Sequence, residues 1–333
     1  MSNDRTDQLE IAVAAVRRAA AVTQSVQRNL VTAETLTKKD RSPVTVADFA
    51  SQAVVCRALA AAFPDTPVVG EEGTAALRQE GQAELRHAVV REAGEVLHGA
   101  SEAHVLEWID HGGAQGEANG THWTLDPIDG TKGFLRGEQY AIALALIEAG
   151  EVVLGVLGCP NLPMPGDGEP GVLMTAIRGE GTQMLPLSGQ GLEGAQPVRT
   201  AALTDPAAAR FCESVESGHT DQSQSVRIAE RLGITAEPFR IDSQAKYAAV
   251  ARGDAAVYLR LPTRADYREK IWDHAAGAIV VEEAGGKVTD IEGKPLDFSR
   301  GRKLENNRGV IATNGPIHDA VLEAVGAVAS VGD

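Results

Sequence analysis

Apolar positions recur at helical spacing between residues 7 and 30, with Leu9, Val13, Val16, Ala20 and Val26 on one stripe, and predict an opening helix. The next stretch, TKKDRSPVTVADFASQAVVCRALAAAFPDTPVVGEEG, passes from loop to helix to strand. Pro43 closes the loop, Asp48 falls in the first turn of a helix reaching about Phe63, and Pro64-Asp65 stops that helix. PVVG reads as a short buried strand that delivers Glu71-Glu72 at its end. Residues 75 to 107 read as helical with breaks near Gly94 and Gly99, and DHGGAQGEANGTH as a loop. WTLD is strand-like, which places Asp126 at a strand end and Asp129 where the chain turns away.

AIALALI and VVLGVLG, separated by EAGE, predict a hairpin, and VLMTAIRG and TQMLPL two further strands after the Pro/Gly-rich NLPMPGDGEPG. SGQGLEGAQPVR has no apolar period and marks a domain boundary near residue 194, giving domains 1–194 and 195–333. Beyond it strands and helices alternate: FCESVES, a helix at 221–232, PFRID, a helix at 243–252, AAVYLRL, a helix at 273–284, KVTD and GVIATN. That alternation predicts an α/β layered sandwich. No internal repeat or low-complexity tract interrupts it.

With 43% hydrophobic and 23% charged residues over 333 positions the chain can bury a large interior; at 4% aromatic, that interior is mostly Ala, Val, Leu and Ile. A net charge of −15 without any Lys/Arg run excludes a nucleic acid polymer as partner. It leaves room for a small anionic substrate if metal ions and a few local cations reverse the field inside a site. The polar N-terminus MSNDRTDQLE and the shortness of the longest apolar run, AIALALI, predict neither signal segment nor membrane span. Cys56, Cys159 and Cys212 are far apart with no CxxC spacing and read as reduced, buried thiols of a cytoplasmic protein.

The chemistry concentrates in THWTLDPIDGTKGF, residues 121 to 134. Asp-Pro and Asp-Gly are ordinary turn dipeptides, but an Ile between two acids is unusual for a solvated turn. Pro127 fixes the backbone so that the Ile128 carbonyl joins the carboxylates of Asp126 and Asp129 as a third oxygen donor. Gly130 lets a ligand approach the chain, and Thr131 opens a short helix with free N–H groups. Hard divalent cations take such oxygens. Glu71 at a strand end and Asp273 in IWDHAAG offer two more, though singly a Glu-Glu pair reads as solvated and an Asp before a helix as a cap.

VTVAD at 44–48, GEEG at 70–73, DPIDGTKGF at 126–134 and WDHAAG at 272–277 together resemble, in order and approximate spacing, the lithium-sensitive, magnesium-dependent phosphatases. These include the inositol monophosphatases, fructose-1,6-bisphosphatases and 3'(2'),5'-bisphosphate nucleotidases, and the resemblance covers nearly the whole chain. It implies their layered α-β-α-β-α fold with the active site between two domains. It also implies two or three magnesium ions held by Glu71, Asp126, Asp129, Asp273 and the main-chain oxygen of Ile128. Asp48 and Thr131 match the pair that orients and deprotonates the attacking water. The preference for Glu71 over Glu72 comes from the resemblance; spacing does not decide it.

Lys132 and Gly133 depart from the Thr and Asn usual in inositol monophosphatases, and DPIDGTKGFLRGEQYAIALAL resembles the bisphosphate nucleotidase branch. SVESGH at 214–219, DSQAKY at 242–247 and VYLRLP at 257–262 are similar to nucleotide-contacting segments of that branch. They imply that His219, Ser243, Lys246 and Arg260 contact the nucleotide, and Gly130 and Thr131 the scissile phosphate. On the residues alone, Lys246 also fits a solvated helix face, and Arg260 a pair with Asp242 or Asp254. The implied reaction removes the 3'-phosphate of 3'-phosphoadenosine 5'-phosphate, or of its sulfated counterpart, in a monomer or homodimer. An inositol phosphate as substrate, and a non-catalytic adenylate sensor, are the alternatives.

Overall fold

Helix α1 (Ser2–Leu30) buries the predicted stripe, Leu9, Val13, Val16, Ala20 and Val26, and packs along α2 (Ser42–Ala62). The computed structural model describes residues 2–31, 42–166, 168–215, 222–262, 264 and 266–329. Pro43 lies inside the first turn of α2 rather than closing a loop, because its missing N–H has no helical partner to lose there. Asp48 therefore sits in the second turn. With Ser51 and Gln52 it forms a buried polar stripe at helical spacing on an otherwise apolar helix. Residues 43–62, though broken by polar positions, are long and apolar enough to cross a membrane, but most of that stretch is buried inside the fold, as suits a core helix.

Seven strands form one sheet in sequential order: β1 (Val68–Gly70), β2 (Thr121–Asp129), β3 (Ala141–Glu148), β4 (Glu151–Pro163), β5 (Pro170–Ile177), β6 (Gly181–Pro186) and β7 (Gln196–Val198). Within this sheet, among the described residues, only the β1–β2 pair is parallel. The β3–β4 hairpin closes through Ala149 and Gly150, both at positive φ (50° and 83°), as a two-residue turn matched to strand twist requires. Between β1 and β2 the helical stretch is shorter than expected. Residues 74–81 form turns, and helices α3 (Ala83–Gly94) and α4 (Glu102–His111) follow. The loop after α4 lies along the outer edge of β1: Gly70 N donates to Gly112 O (2.7 Å) and Ala114 N to Val68 O (3.1 Å).

After helix α5 (Thr131–Leu135) and the first sheet comes a second, five-stranded sheet. Its strands are β8 (Phe211–Glu213), β9 (Phe239–Arg240), β10 (Val257–Arg260), β11 (Lys287–Thr289) and β12 (Val310–Thr313), in the order β11-β12-β10-β8-β9. Helices α7 (Ala245–Ala251) and α8 (Ala275–Glu283) lie between the sheets; α6 (Gln222–Leu232) and α9 (His318–Ala329) pair on the far side of the second. The order of layers is α1/α2, sheet, α7/α8, sheet, α6/α9, so the α-β-α-β-α sandwich is present. Helix α9 is additional to the elements expected from the sequence, although Val321, Ala324, Val325 and Val328 carry a helical stripe.

The two faces of the first sheet differ in side-chain size. Ile142, Leu144 and Leu146 of β3 point to the α1/α2 core, while Ala141, Ala143 and Ala145 point to α8. A Cβ on Gly155 would lie 2.5 Å from Ile279 and 3.1 Å from the Ala276 carbonyl. This shallow face lets α8, rich in Ala itself, sit close against the sheet. The N-terminal end of α8, with Asp273 just before it, is thereby brought to the end of β2 that carries Asp126.

Candidate active site

The strand does not end at Asp126. β2 continues to Asp129, and its register with β3 shifts between these two residues. Pro127 cannot donate to the ladder, so the sheet accommodates it as a bulge, which turns the acids on either side toward one pocket. Ser51 Oγ donates to Pro127 O (3.0 Å) and Ile128 N to Asp126 Oδ1 (3.1 Å), so helix α2 and the bulge brace each other. Ile128 buries its side chain in the core beneath α1 and α2 and still borders the pocket. Gly130 follows at φ 91°, where a Cβ would lie 2.8 Å from Ser243 Cβ.

Glu71 N donates to Leu125 O (3.2 Å), which sets Glu71 beside Asp126. The main chain of Glu72 is held instead by Gln52, which accepts from its N–H (3.1 Å) and donates to its carbonyl (2.8 Å). Only Glu71 of this pair borders the pocket, a cavity of about 290 Å³. Asp126, Asp129 and Asp273 share that wall. The basic wall of the same pocket carries Lys246 and Arg260, whose charges reach Asp129, with Ser243, with Ser214 and Tyr258 from the segments singled out above and, unanticipated, with Tyr267. Thr131 lines the exposed mouth. Asp48 is buried behind Glu71 and Asp126, outside the lining, with no hydrogen-bond partner for Oδ1. His219 lies outside the described residues.

The acids raise one another. Burial, then Glu71, Asp129, Asp273 and Asp48, push Asp126 well above the usual carboxylate range. Burial, Glu72 and Asp129 lift Glu71 to about 7 despite a hydrogen bond to Asp126. Asp273 also rises to about 7 through burial, partly offset by His274, with Asp129 and Glu71 adding to the rise. Asp48 is raised by burial, Glu72 and Glu71. Asp129 is raised by burial but restrained by Lys246 and by a hydrogen bond from Gln244 N. Crowded buried carboxylates, one with an unpartnered oxygen, are the donor set a hard divalent cation takes.

The cations are differently supported. Lys246 is buried rather than on a solvated face; Nζ donates to Ser214 Oγ (3.2 Å) and lies 5.2 Å from the Tyr258 ring centroid. Burial lowers its pKa against the pull of Asp129. Arg260 pairs with neither Asp242 nor Asp254, which bind Arg136 and Arg252; its Nε donates to Glu269 (3.3 Å), and that carboxylate helps carry it above its ordinary value despite burial. Glu269, Asp273 and His274 form a trio whose donor atoms lie within 4.8 Å of one another. The imidazole is already engaged on both sides, with Glu269 (3.3 Å) and the Tyr247 hydroxyl (2.7 Å), so the trio reads as a brace beside Asp273. Ser243 takes φ 69°, a left-handed conformation rare outside glycine, against Gly130.

The inositol monophosphatase family model matches residues 4–329. The chain belongs to that family. Among curated relatives, the 3'(2'),5'-bisphosphate nucleotidase of Schizosaccharomyces pombe is 47% identical over 349 aligned positions, covering 99% of this chain and 97% of that protein. The nucleotidase of Emericella nidulans is 45% identical over 340, covering 95% and 96%. Of solved structures, the inositol monophosphatase of Thermotoga maritima superposes with a TM-score of 0.63 over 98% of this chain and 99% of that one, at 22% identity. That likeness speaks for the fold of the family member described here.

Proposed function

We infer that this chain is a 3'(2'),5'-bisphosphate nucleotidase that hydrolyses the 3'-phosphate of 3'-phosphoadenosine 5'-phosphate or of the corresponding phosphosulfate. The observation that carries this reading is the pairing, in one pocket, of an acidic wall with a wall bearing Lys246 and Arg260. A monophosphate of a neutral polyol needs only the first wall. A nucleotide with two anionic groups needs the second as well, on a protein of net charge −15. The names of the 41–47% identical relatives point the same way.

Glu71, Asp126, Asp129, Asp273 and the Ile128 carbonyl fit magnesium, which when bound would offset their mutual repulsion, neutralise the scissile phosphate and make water more acidic. The other steps belong to side chains. Lys246 and Arg260 bind the remote anion, and Ser243, held against Gly130, shapes the passage between the walls. Asp48, with its unpartnered Oδ1 behind Glu71, is the final acceptor of the proton of the attacking water, at one remove from the pocket, and the Thr131 hydroxyl at the mouth orients that water. Inhibition by lithium belongs to the same reading, since a small monovalent cation can occupy oxygen sites without supplying the same charge.

The deciding experiment measures phosphate release from adenosine bisphosphates, inositol phosphates and fructose bisphosphate in magnesium buffer. The reading expects the highest kcat/KM for the adenosine bisphosphate. Equal or faster release from inositol 1-phosphate would move the substrate to the inositol phosphates, and tight nucleotide binding with no turnover would make the chain a sensor.

A further inference from the structure

Glu71 follows a strand of only three residues at the edge of the first sheet, so it has less local support than the acids of β2. Its support comes from far along the chain. Arg302 Nη2 donates to Gly70 O (2.6 Å), the residue before Glu71, and Nη1 donates to Ala114 O (3.0 Å) in the loop flanking β1. The guanidinium also stacks 4.6 Å from the ring centroid of Trp272, the residue before Asp273. Main-chain bonds complete the link: Ile271 N donates to Arg302 O (3.2 Å), and two residues on Leu304 N donates to Glu269 O (2.9 Å). One residue thus joins the segment that carries Glu71 to the segment that carries Asp273.

We propose that Arg302 is a positioning residue for the cation site, holding Glu71 and Asp273 at the separation at which both can serve bound ions. This rests on reading those acids as metal ligands. Charge alone does not explain the arrangement, because Lys270 already lies over Trp272 (5.5 Å) with its charge felt by Glu71. What Arg302 adds is a planar fork that reaches two carbonyls while lying against an indole, which a lysine cannot reproduce. The two roles predict opposite signs. As a charge near Glu71, Arg302 would weaken cation binding and its loss would strengthen it; as a strut, its loss weakens binding.

The test is thermal stabilisation by magnesium alone, without nucleotide, in the wild type, Arg302→Ala and Arg302→Lys. The strut predicts that the magnesium concentration giving half the stabilisation rises roughly 10- to 100-fold in both variants, the usual cost of losing a group that orients metal ligands. At saturating magnesium the KM for the nucleotide stays near the wild-type value. A wild-type midpoint in Arg302→Lys, or a lower one in Arg302→Ala, overturns the proposal while leaving the metal reading intact. If the wild type itself gains no stability from magnesium, the metal reading falls and takes this one with it. Should Arg302→Ala not fold, Arg302→Lys and Arg302→Gln carry the same comparison.

Discussion

The two walls of the pocket are built on opposite principles. On one, Glu71, Asp129, Asp273 and Asp48 raise the proton affinity of Asp126, and Asp129 raises that of both Glu71 and Asp273. On the other, each cation has its own partner: Arg260 has Glu269, and Lys246 has Ser214 and the field of Asp129. The acidic wall is therefore unfavourable until something positive enters, whereas the basic wall is nearly self-sufficient and only orients. A fold tolerates local conflict where function requires it. That contrast predicts which wall governs rate and which governs affinity.

Replacing Asp126 with Asn tests the first wall and carries the largest effect. Turnover should fall by several orders of magnitude, because the bulge residue on which four other acids act loses its charge. Metal-free stability should rise, because a buried repulsive charge is gone. Urea denaturation without magnesium, beside phosphate release with it, measures both. Near-normal turnover at saturating magnesium would sink the acidic wall as the catalytic one. Replacing Lys246 with Ala tests the second wall. One charged hydrogen bond is worth about 1.5–3 kcal/mol, so KM for the bisphosphate nucleotide should rise roughly 10- to 100-fold with kcat little changed. A collapse of kcat at unchanged KM would make Lys246 part of the chemistry instead of an anchor.

The acidic wall was far more legible in the sequence than its supports. Asp126, Ile128 and Asp129 sit in one local pattern of closely spaced oxygen donors, of the kind a hard cation takes, whereas Glu71 and Asp273, singly a solvated pair and a cap, were picked out only by the resemblance. The bulge that extends β2 to Asp129 was missed because a strand reading stops at proline, while a sheet can absorb proline by a register shift. Glu269, His274, Tyr247 and Arg302 have no such pattern. Each matters through contacts with segments distant in sequence or through a side chain turned inward. The left-handed Ser243 was equally hidden, since nothing in DSQAKY demands positive φ; only the fold brings it against Gly130. The layers followed from alternation, but the closeness of α8 follows from Ala143, Ala145 and Gly155, whose small size matters only once the facing helix is known.

The smallest expected effect lies in the pH dependence of stability, and it separates the walls without any substrate. In the metal-free protein Glu71 and Asp273 titrate near 7, against ordinary values of 4.5 and 3.8. Below the ordinary values both acids are protonated whether the chain is folded or not, and neither opposes folding. As pH climbs from there toward about 7, the unfolded chain releases protons that the folded site retains, so stability is lost across that window. Magnesium binds the deprotonated carboxylates, so its stabilising effect should grow over the same window and be larger at about pH 8 than at about pH 5. Melting temperatures with and without magnesium across that range measure the divergence. Asp129→Asn should flatten the metal-free slope, since the one charge that raises both Glu71 and Asp273 has gone, whereas Lys246→Ala leaves Glu71 and Asp273 in place and should keep the slope. Parallel curves with and without magnesium would mean that the acids are not where the ion binds, and the division between the walls would fail with them.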